Sequence, residues 1–482
     1  VTNTTSRRRW IERVALTGLG LTIGARTPAT AQTRTAQTVT VPPAAVGPLP
    51  ARTAFVIRNA YVMTVDPNLG DIDGGDVHVR DGAIVAVGRR LAAPGATVID
   101  GRGMIVMPGL VETHFHMWNS LARSISGDTP AAGYFPTLVK LGKVFTPDDM
   151  YQGARLSAVE ALHGGITHVH DWCHNIKSPD GARGDLRALR DVGIRARFSY
   201  GYYQGQPPSE AMDLADLEVL HAHWTTYSNG GLISLGVAWR GIAASNNTID
   251  TTVSKNEFDT ARRLGLPLTI HATPRNRGQI AQLGAAGMLG KDVQVVHATD
   301  APTSDIAILA ASGSPVSVSP FTELRVGFGV TNVGAFLAGG VTVGLSVDTT
   351  ALSGNADMFG IMKVLENLED GRTQNEFAIA ARRIIELATI EGARSMGLDT
   401  TIGSLVPGKR ADLIMIDTRA INDAPAIDVA HTVVEAVEPV NVDTVIVDGR
   451  ILKRHGKLTA IDEARVAAEA AAASRAIRSR AG

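Results

Sequence analysis

Cysteine is almost missing from this 482-residue protein, with Cys173 as its only example. No intramolecular disulfide can form, and no thiolate cluster for zinc can be assembled within it. An excess of one charge is also missing: 46 Lys+Arg stand against 47 Asp+Glu, for a formal net charge of -1. That balance excludes a basic nucleic-acid-binding protein and an acidic tail protein, so no nucleic-acid partner is expected. No uninterrupted apolar run is long enough to span the ~30 Å hydrocarbon core of a bilayer as a helix, so no permanent membrane span is expected. What is present is 44% hydrophobic and only 19% charged residues. This is a globular composition, on a length that suits one barrel-sized domain or two to three smaller ones. Any metal must be held by histidines and carboxylates.

The first residues read as an address. Ser6-Arg7-Arg8-Arg9-Trp10 precedes an uncharged stretch from Val14 to Ala25, and Ala29-Thr30-Ala31 offers a small-x-small cleavage site before Gln32. These are the charged, apolar and cleavage regions of an export signal over residues 1–31, and the paired arginines resemble a twin-arginine signal, the route for proteins exported already folded. A periplasmic or exported location after cleavage is the expectation. Residues 32–50, rich in Thr, Ala, Pro and Val, read as a linker.

Beyond it, Phe55–Val65 and Asp76–Gly88 are β-rich runs joined by Gly and Asp turns, as in a small β-domain. Between about 110 and 400 a short apolar strand alternates with a helix-length segment, the signature of parallel β/α architecture. The clear strands are Ile166–Val169, Ile233–Ala238, Pro267–Ile270, Val293–Val296, Val316–Val318 and Val341–Val347. Periodicity alone does not separate a (β/α)8 barrel from a doubly wound sheet. Strand-like runs return at Asp412–Ile416 and Thr444–Val447, and an Ala-rich helix is expected over about Ile461–Arg478.

Several histidines follow directly on apolar runs: His114 and His116 after Met104–Val111, His271 after Leu268–Ile270, and His297 after Val293–Val296. A parallel barrel gathers all such positions at one mouth. In His114-Phe115-His116 the alternation of an extended segment turns both imidazoles to one side. Asp348, after Val343–Val347, adds an anionic ligand. With Asp348, these strand-end histidines make an N/O donor set for a divalent ion, zinc first, with cobalt, iron or manganese as alternatives.

The segments Pro108–His116, Leu345–Asp348 and Gly403–Leu413 resemble, in residues, order and spacing, the amidohydrolase superfamily. Ser317–Pro320 with Gly327–Gly329, and Ala388-Thr389 with Gly392–Arg394, are similar to its branch of triazine chlorohydrolases and cytosine, guanine and adenosylhomocysteine deaminases. The resemblance covers residues 52 to 460. It implies an α/β fold: a (β/α)8 TIM barrel over residues 108–402, and a β-sandwich built from 51–107 and 403–460; the Ala-rich C-terminal helix, over 461–482, lies beyond it. It also implies that His114, His116 and His271 hold the metal, that Asp348 approaches the metal and takes a proton from the attacking water, and that His297 orients that water or the substrate oxygen. Homo-oligomers are common enough in the family to keep that state open.

Two departures bear on the substrate. The branch usually carries Glu three residues after the fifth-strand His, where it shuttles a proton to a ring nitrogen, and here His271-Ala272-Thr273-Pro274 places proline there. Hydrolysis of a C–N bond in a small amide, carbamate, urea or related heteroaryl compound is therefore expected. The alternatives are an aminohydrolase or chlorohydrolase acting on a purine, pyrimidine or triazine-like ring, with an acid such as Glu323 substituting, and a non-catalytic scaffold on the same fold. Two-metal relatives bridge their ions through a fourth-strand Lys, and Val237–Arg240 offers none, so one metal is expected.

Trp118, Trp172 and Trp239, at strand ends, are candidate walls of an aromatic pocket for a small-molecule substrate. His168, His170 and Trp172 share one strand face, with His170 a candidate substrate contact and the cluster with His174 a weaker candidate for a second metal. Arg275 is a candidate partner for a substrate carboxylate or phosphate, since guanidinium binds both bidentately. Cys173 reads as an inert buried thiol.

Overall fold

A computed structural model of the protein describes residues 45–242 and 250–482. The expected export signal and the linker up to residue 44 lie outside the described residues.

The N-terminal strands are β1 (Phe55–Val62), β2 (Ile72–Arg80), β3 (Ala83–Gly88), β4 (Thr97–Asp100) and β5 (Met104–Pro108). Eight parallel strands follow: β6 (Leu110–Val111), β7 (Ile166–Cys173), β8 (Arg195–Gly201), β9 (Ile233–Trp239), β10 (Leu268–Ala272), β11 (Val293–His297), β12 (Val316–Val318) and β13 (Val343–Leu345). They pair in sequence order from β6 to β13. The circle closes past the strand ends, where Phe115 bridges in parallel to both Asp171 and Asp348. The α/β class and the (β/α)8 barrel are as expected.

The polypeptide returns to the first sheet with β14 (Leu413–Asp417), β15 (Val442–Val447), β16 (Arg450–Arg454) and β17 (Lys457–Leu458). The nine-stranded sheet runs β17-β16-β15-β14-β5-β1-β2-β3, with β4 on β1, so strands from before and after the barrel share one ladder. It encloses a core of its own, including Phe55, Ile57, Val77, Val106, Leu413, Met415 and Ile446. The β2–β3 and β15–β16 hairpins both turn on Asp-Gly, with positive φ at Asp81 and Gly82 and at Asp448 and Gly449. That is the backbone a two-residue hairpin needs to match strand twist. The two turns meet, and a Cβ on Gly449 would fall 2.6 Å from the Gly82 Cα.

One barrel strand, β8, escapes the hydrophobic pattern because Arg195 and Arg197 interrupt it. Both point into polar partners: Arg195 forms a two-pronged pair with Asp412 (2.6 and 3.0 Å), and Arg197 donates to the Met396 carbonyl. The last helix, Glu463–Ala481, starts on an Asp462 cap and packs on the helix Pro147–His163, where Glu469 pairs with Arg155 at 2.6 Å. No helix among the described residues is long and apolar enough to cross a membrane.

Candidate active site

β6 is only two residues long, and the backbone leaves it through Glu112-Thr113-His114-Phe115-His116 into a 3-10 turn, Met117–Ala122. Two backbone bonds lace this exit to the end of β13: Asp348 N–H donates to the His114 carbonyl (2.9 Å), and His116 N–H donates to the Asp348 carbonyl (2.6 Å). Glu112 is fully buried beneath them. Its carboxylate accepts from the N–H groups of His114 (2.8 Å), His170 (3.2 Å) and Val347 (3.2 Å), tying the ends of β6, β7 and β13 together. Burial pushes the Glu112 carboxyl up to about 8, against the pull of those three donors.

Two groups of donor atoms that share His114 lie above this clasp, His114 with His116 and Asp348, and His114 with His271 and His297. His114 Nε2 lies 3.2 Å from His116 Nε2 and 3.2 Å from His271 Nε2. Asp348 Oδ1 lies 3.4 Å from the first and 3.3 Å from the second. One ring proton on His114 Nε2 can satisfy only one of three such neighbours. A tetrahedral ion with bonds of ~2.0–2.1 Å has ligand-to-ligand edges of about 3.3–3.4 Å, so the spacing of His114 from its three neighbours and of His116 from Asp348 suits a divalent metal. Burial first, and then the neighbouring imidazoles, hold His114, His116 and His271 well below the usual histidine range, in the neutral form that ligates.

His297, at the end of β11, belongs to the group with His114 and His271. Its Nε2 is 3.8 Å from Asp348 Oδ2, and its Nδ1 is 3.2 Å from Glu323 Oε1. Glu323 is itself fixed by the Ser319 N–H (2.8 Å) and the Thr331 hydroxyl (2.6 Å). Burial alone would lower the His297 imidazole, but the Glu323 hydrogen bond and the charges of Asp348 and Glu323 raise it overall. Burial pushes the Asp348 carboxyl up to about 7, opposed by His297. Both residues adopt left-handed backbone, φ 71° at His297 and φ 61° at Asp348. Such conformations cost about 1–3 kcal/mol each and collect where a fold must aim a side chain.

The donors open into a cavity of about 270 Å³ lined by His116, His271, His297 and Asp348 together with Tyr134, Phe135, Tyr202, Phe328 and Arg275. Of the residues the sequence offers as substrate contacts, Arg275 is here and the tryptophans are not. Trp118, Trp172 and Trp239 are fully buried behind the wall. Trp118 donates to His174 Nδ1 (3.2 Å), Trp239 donates to the Ser254 carbonyl (3.2 Å), and the Trp172 ring packs against that of His271 with centres 4.1 Å apart. Rings this large fill the barrel interior, and the aromatic wall falls instead to Tyr134, Phe135, Tyr202 and Phe328. His170 is a correction of the same kind: its Nδ1 is 2.7 Å from the Thr113 carbonyl and its Nε2 is 2.8 Å from the Ser199 hydroxyl, which uses both nitrogens below the cavity. His168, His170 and His174 do not converge into a metal-ligand group among the described residues. Cys173 is a buried thiol donating to Asp185 Oδ2 at 3.2 Å.

A barrel mouth that gathers imidazoles and a carboxylate at metal-ligand spacing marks a metal-dependent hydrolase class. Residues 105–452 match the Amidohydrolase family, and the protein belongs to that family. It is a hydrolase acting on carbon–nitrogen bonds with a divalent metal. It is 30% identical to 5'-deoxyadenosine deaminase of Methanosarcina mazei over 429 residues, 86% of this sequence and 96% of the relative. It is 32% identical to 5-methylthioadenosine/S-adenosylhomocysteine deaminase of Symbiobacterium thermophilum over 417 residues, 83% of this sequence and 93% of the relative. The fold is shared with an adenosine deaminase from Xanthomonas campestris with bound zinc: TM-score 0.79, 23% identity, 89% of this protein and 100% of the other. Atrazine chlorohydrolase from Arthrobacter aurescens complexed with zinc shares it too: TM-score 0.76, 21% identity, 87% and 100% covered.

Proposed function

We propose that the protein uses one zinc ion, held by His114, His116, His271 and Asp348, to hydrolyse an acyclic C–N bond in a small amide, carbamate or urea. The observation that carries this reading is the composition of the cavity wall. Among the described residues lining it, Asp348 is the only carboxylate, and Pro274 occupies the first position of the turn Pro274–Asn276 that follows His271. A ring nitrogen would have no second acid there to protonate it, whereas an amide needs one group that moves a proton from water to the departing nitrogen.

A divalent ion in this cradle supplies Lewis acidity, lowering the pKa of water from 15.7 toward ~7. Asp348 accepts the proton of the attacking water at Oδ2 and passes it to the leaving nitrogen. His297, with Nδ1 held by Glu323, presents Nε2 to the carbonyl oxygen as negative charge develops on it. Phe135, Phe328 and Tyr202 bind the apolar part of the substrate and keep water from it.

The deaminase relatives support a second reading, in which ammonia leaves a nucleoside such as 5'-deoxyadenosine or 5-methylthioadenosine. The test is a screen of the purified holoenzyme with metal content measured by elemental mass spectrometry. About one ion per protein molecule with amine released from amides, carbamates or ureas is the expected result. Ammonia released from 5'-deoxyadenosine, with no turnover of acyclic amides, carbamates or ureas, would replace it with the second reading. Export belongs to the same proposal. Fractionation of cells expressing the whole sequence should find the protein outside the cytoplasm, beginning at Gln32.

A further inference from the structure

Arg275 is the only lysine or arginine lining the cavity among the described residues. It stands at the mouth, with its guanidinium carbon 3.7 Å from the centre of the Phe135 ring. That contact orients the guanidinium plane without neutralising it. No carboxylate pairs with it among the described residues, although Arg277, two residues on, is paired with Asp300 at 2.9 Å. Partial burial pulls the Arg275 guanidinium below the usual arginine value, with no acid relieving it.

Its place relative to the metal ligands is fixed. Pro274 sets the backbone at the start of the turn, Thr273 N–H donates to Asn276 Oδ1 (2.5 Å), and Asn276 Nδ2 donates to the carbonyl of His271 itself (2.8 Å). Aromatic rings connect the two ends of the cavity. Phe135 lies 6.4 Å from Phe328, and Phe328 meets His297 edge-on at 5.5 Å. A cation at the mouth, flat apolar rings along the wall and the reacting groups at the base describe a ligand with charge at one end and the scissile bond at the other.

We propose that the substrate is a flat carboxylate-bearing amide, carbamate or urea, whose carboxylate Arg275 holds by a two-pronged hydrogen bond while its flat body lies along Phe135 and Phe328. The assignment rests on the acyclic C–N hydrolase reading above. Guanidinium matches a planar carboxylate with two parallel N–H donors, a geometry that lysine does not reproduce.

The probes are 4-acetamidobenzoate and its methyl ester, which differ in the charge at one end. Binding to the zinc-loaded enzyme is measured by calorimetry and hydrolysis by amine release, for the native protein and for Arg275→Gln and Arg275→Lys. The acid should bind at least tenfold tighter than the ester. Arg275→Gln should erase that preference, raising KM for the acid more than it lowers kcat, and Arg275→Lys should restore part of it. Equal binding of acid and ester, no binding of the acid, or a preference that survives Arg275→Gln each overturns the assignment. Turnover of the ester without preference for the acid removes the carboxylate and leaves the hydrolase reading standing. Preferred binding of the acid with no amine from either probe removes the hydrolase reading and keeps Arg275 as an anion site.

Discussion

The proposed ligand set takes one nitrogen each from His271 and His116, so removing either should lower metal and activity together. Elemental mass spectrometry and amine release on His271→Ala and His116→Ala check this, and normal values of both in either variant would sink the ligand assignment. Asp348→Asn keeps an oxygen near the metal but cannot accept a proton. Turnover should fall by ~10²–10⁴-fold, and by more than bound metal does. Glu112 touches no substrate, yet three backbone donors aim at its carboxylate. Glu112→Gln turns an amide NH2 toward at least one of them, with an expected loss of about 1–3 kcal/mol in unfolding free energy and weaker metal retention. Retention and stability equal to the native protein would show that the clasp is dispensable. The imidazoles and Asp348 were legible in the sequence because a residue that ends an apolar strand in a parallel barrel must reach the mouth. Depth was not legible. Alternation says which face Trp172 shares with His170, but not that both lie under the ligands, and nothing in the local pattern shows that Glu112 turns back to hold its own strand.

Most barrel strands could be read from their apolar runs, with ends displaced by a few residues at most; β8 could not, since its arginines are bound by partners far along the sequence. The helix Tyr134–Gly142, whose first turn carries Tyr134 and Phe135, was equally hidden. Their role depends on what faces them across the mouth, and sequence spacing does not encode that. The element that follows, Pro147–His163, is announced by the Thr146–Asp149 capping box and lies over the 3-10 turn after His116. Contact there is backbone to backbone: a Cβ on Gly153 would fall 2.1 Å from the Trp118 carbonyl oxygen. Gly153→Val should therefore displace the turn that carries Trp118, cost about 1–3 kcal/mol and lower Tm, with a shift in tryptophan emission reporting the displacement. An unchanged Tm would mean that the helix can slide without disturbing the ligands.

Barrel and outer sheet are joined at their base by buried charge. Asp412 binds Arg195 and accepts the Asp448 N–H at 2.8 Å, while Asp448 takes hydrogen bonds from Arg52 and Arg410. Burial alone would raise the Asp448 carboxyl, but the Arg52 and Arg410 bonds and the charge of Arg195 bring it below the usual carboxylate range. A carboxyl lowered on folding stabilises the native state above its unfolded value of ~3.9, and that contribution fades as pH falls through the folded value. Thermal unfolding followed from about pH 5 down to about pH 3 should show a shallower loss in Asp448→Asn than in the native protein; parallel curves would put the acid sensitivity elsewhere. That the outer sheet draws on both ends of the sequence was legible from the strand-like runs at Asp412–Ile416 and Thr444–Val447, but the pairing of strands across the whole barrel was not, because it leaves no local periodicity. The closing seam of the barrel has a consequence for how the protein is made. His114, His116 and Asp348 sit where the first strand meets the last, and the Glu112–Val347 contact spans 235 residues. A nascent polypeptide carries His114, His116 and His271 long before Asp348 leaves the ribosome. The floor of the cavity between β6 and β13 therefore closes only after translation has passed Val347, when nearly the whole barrel has already been made.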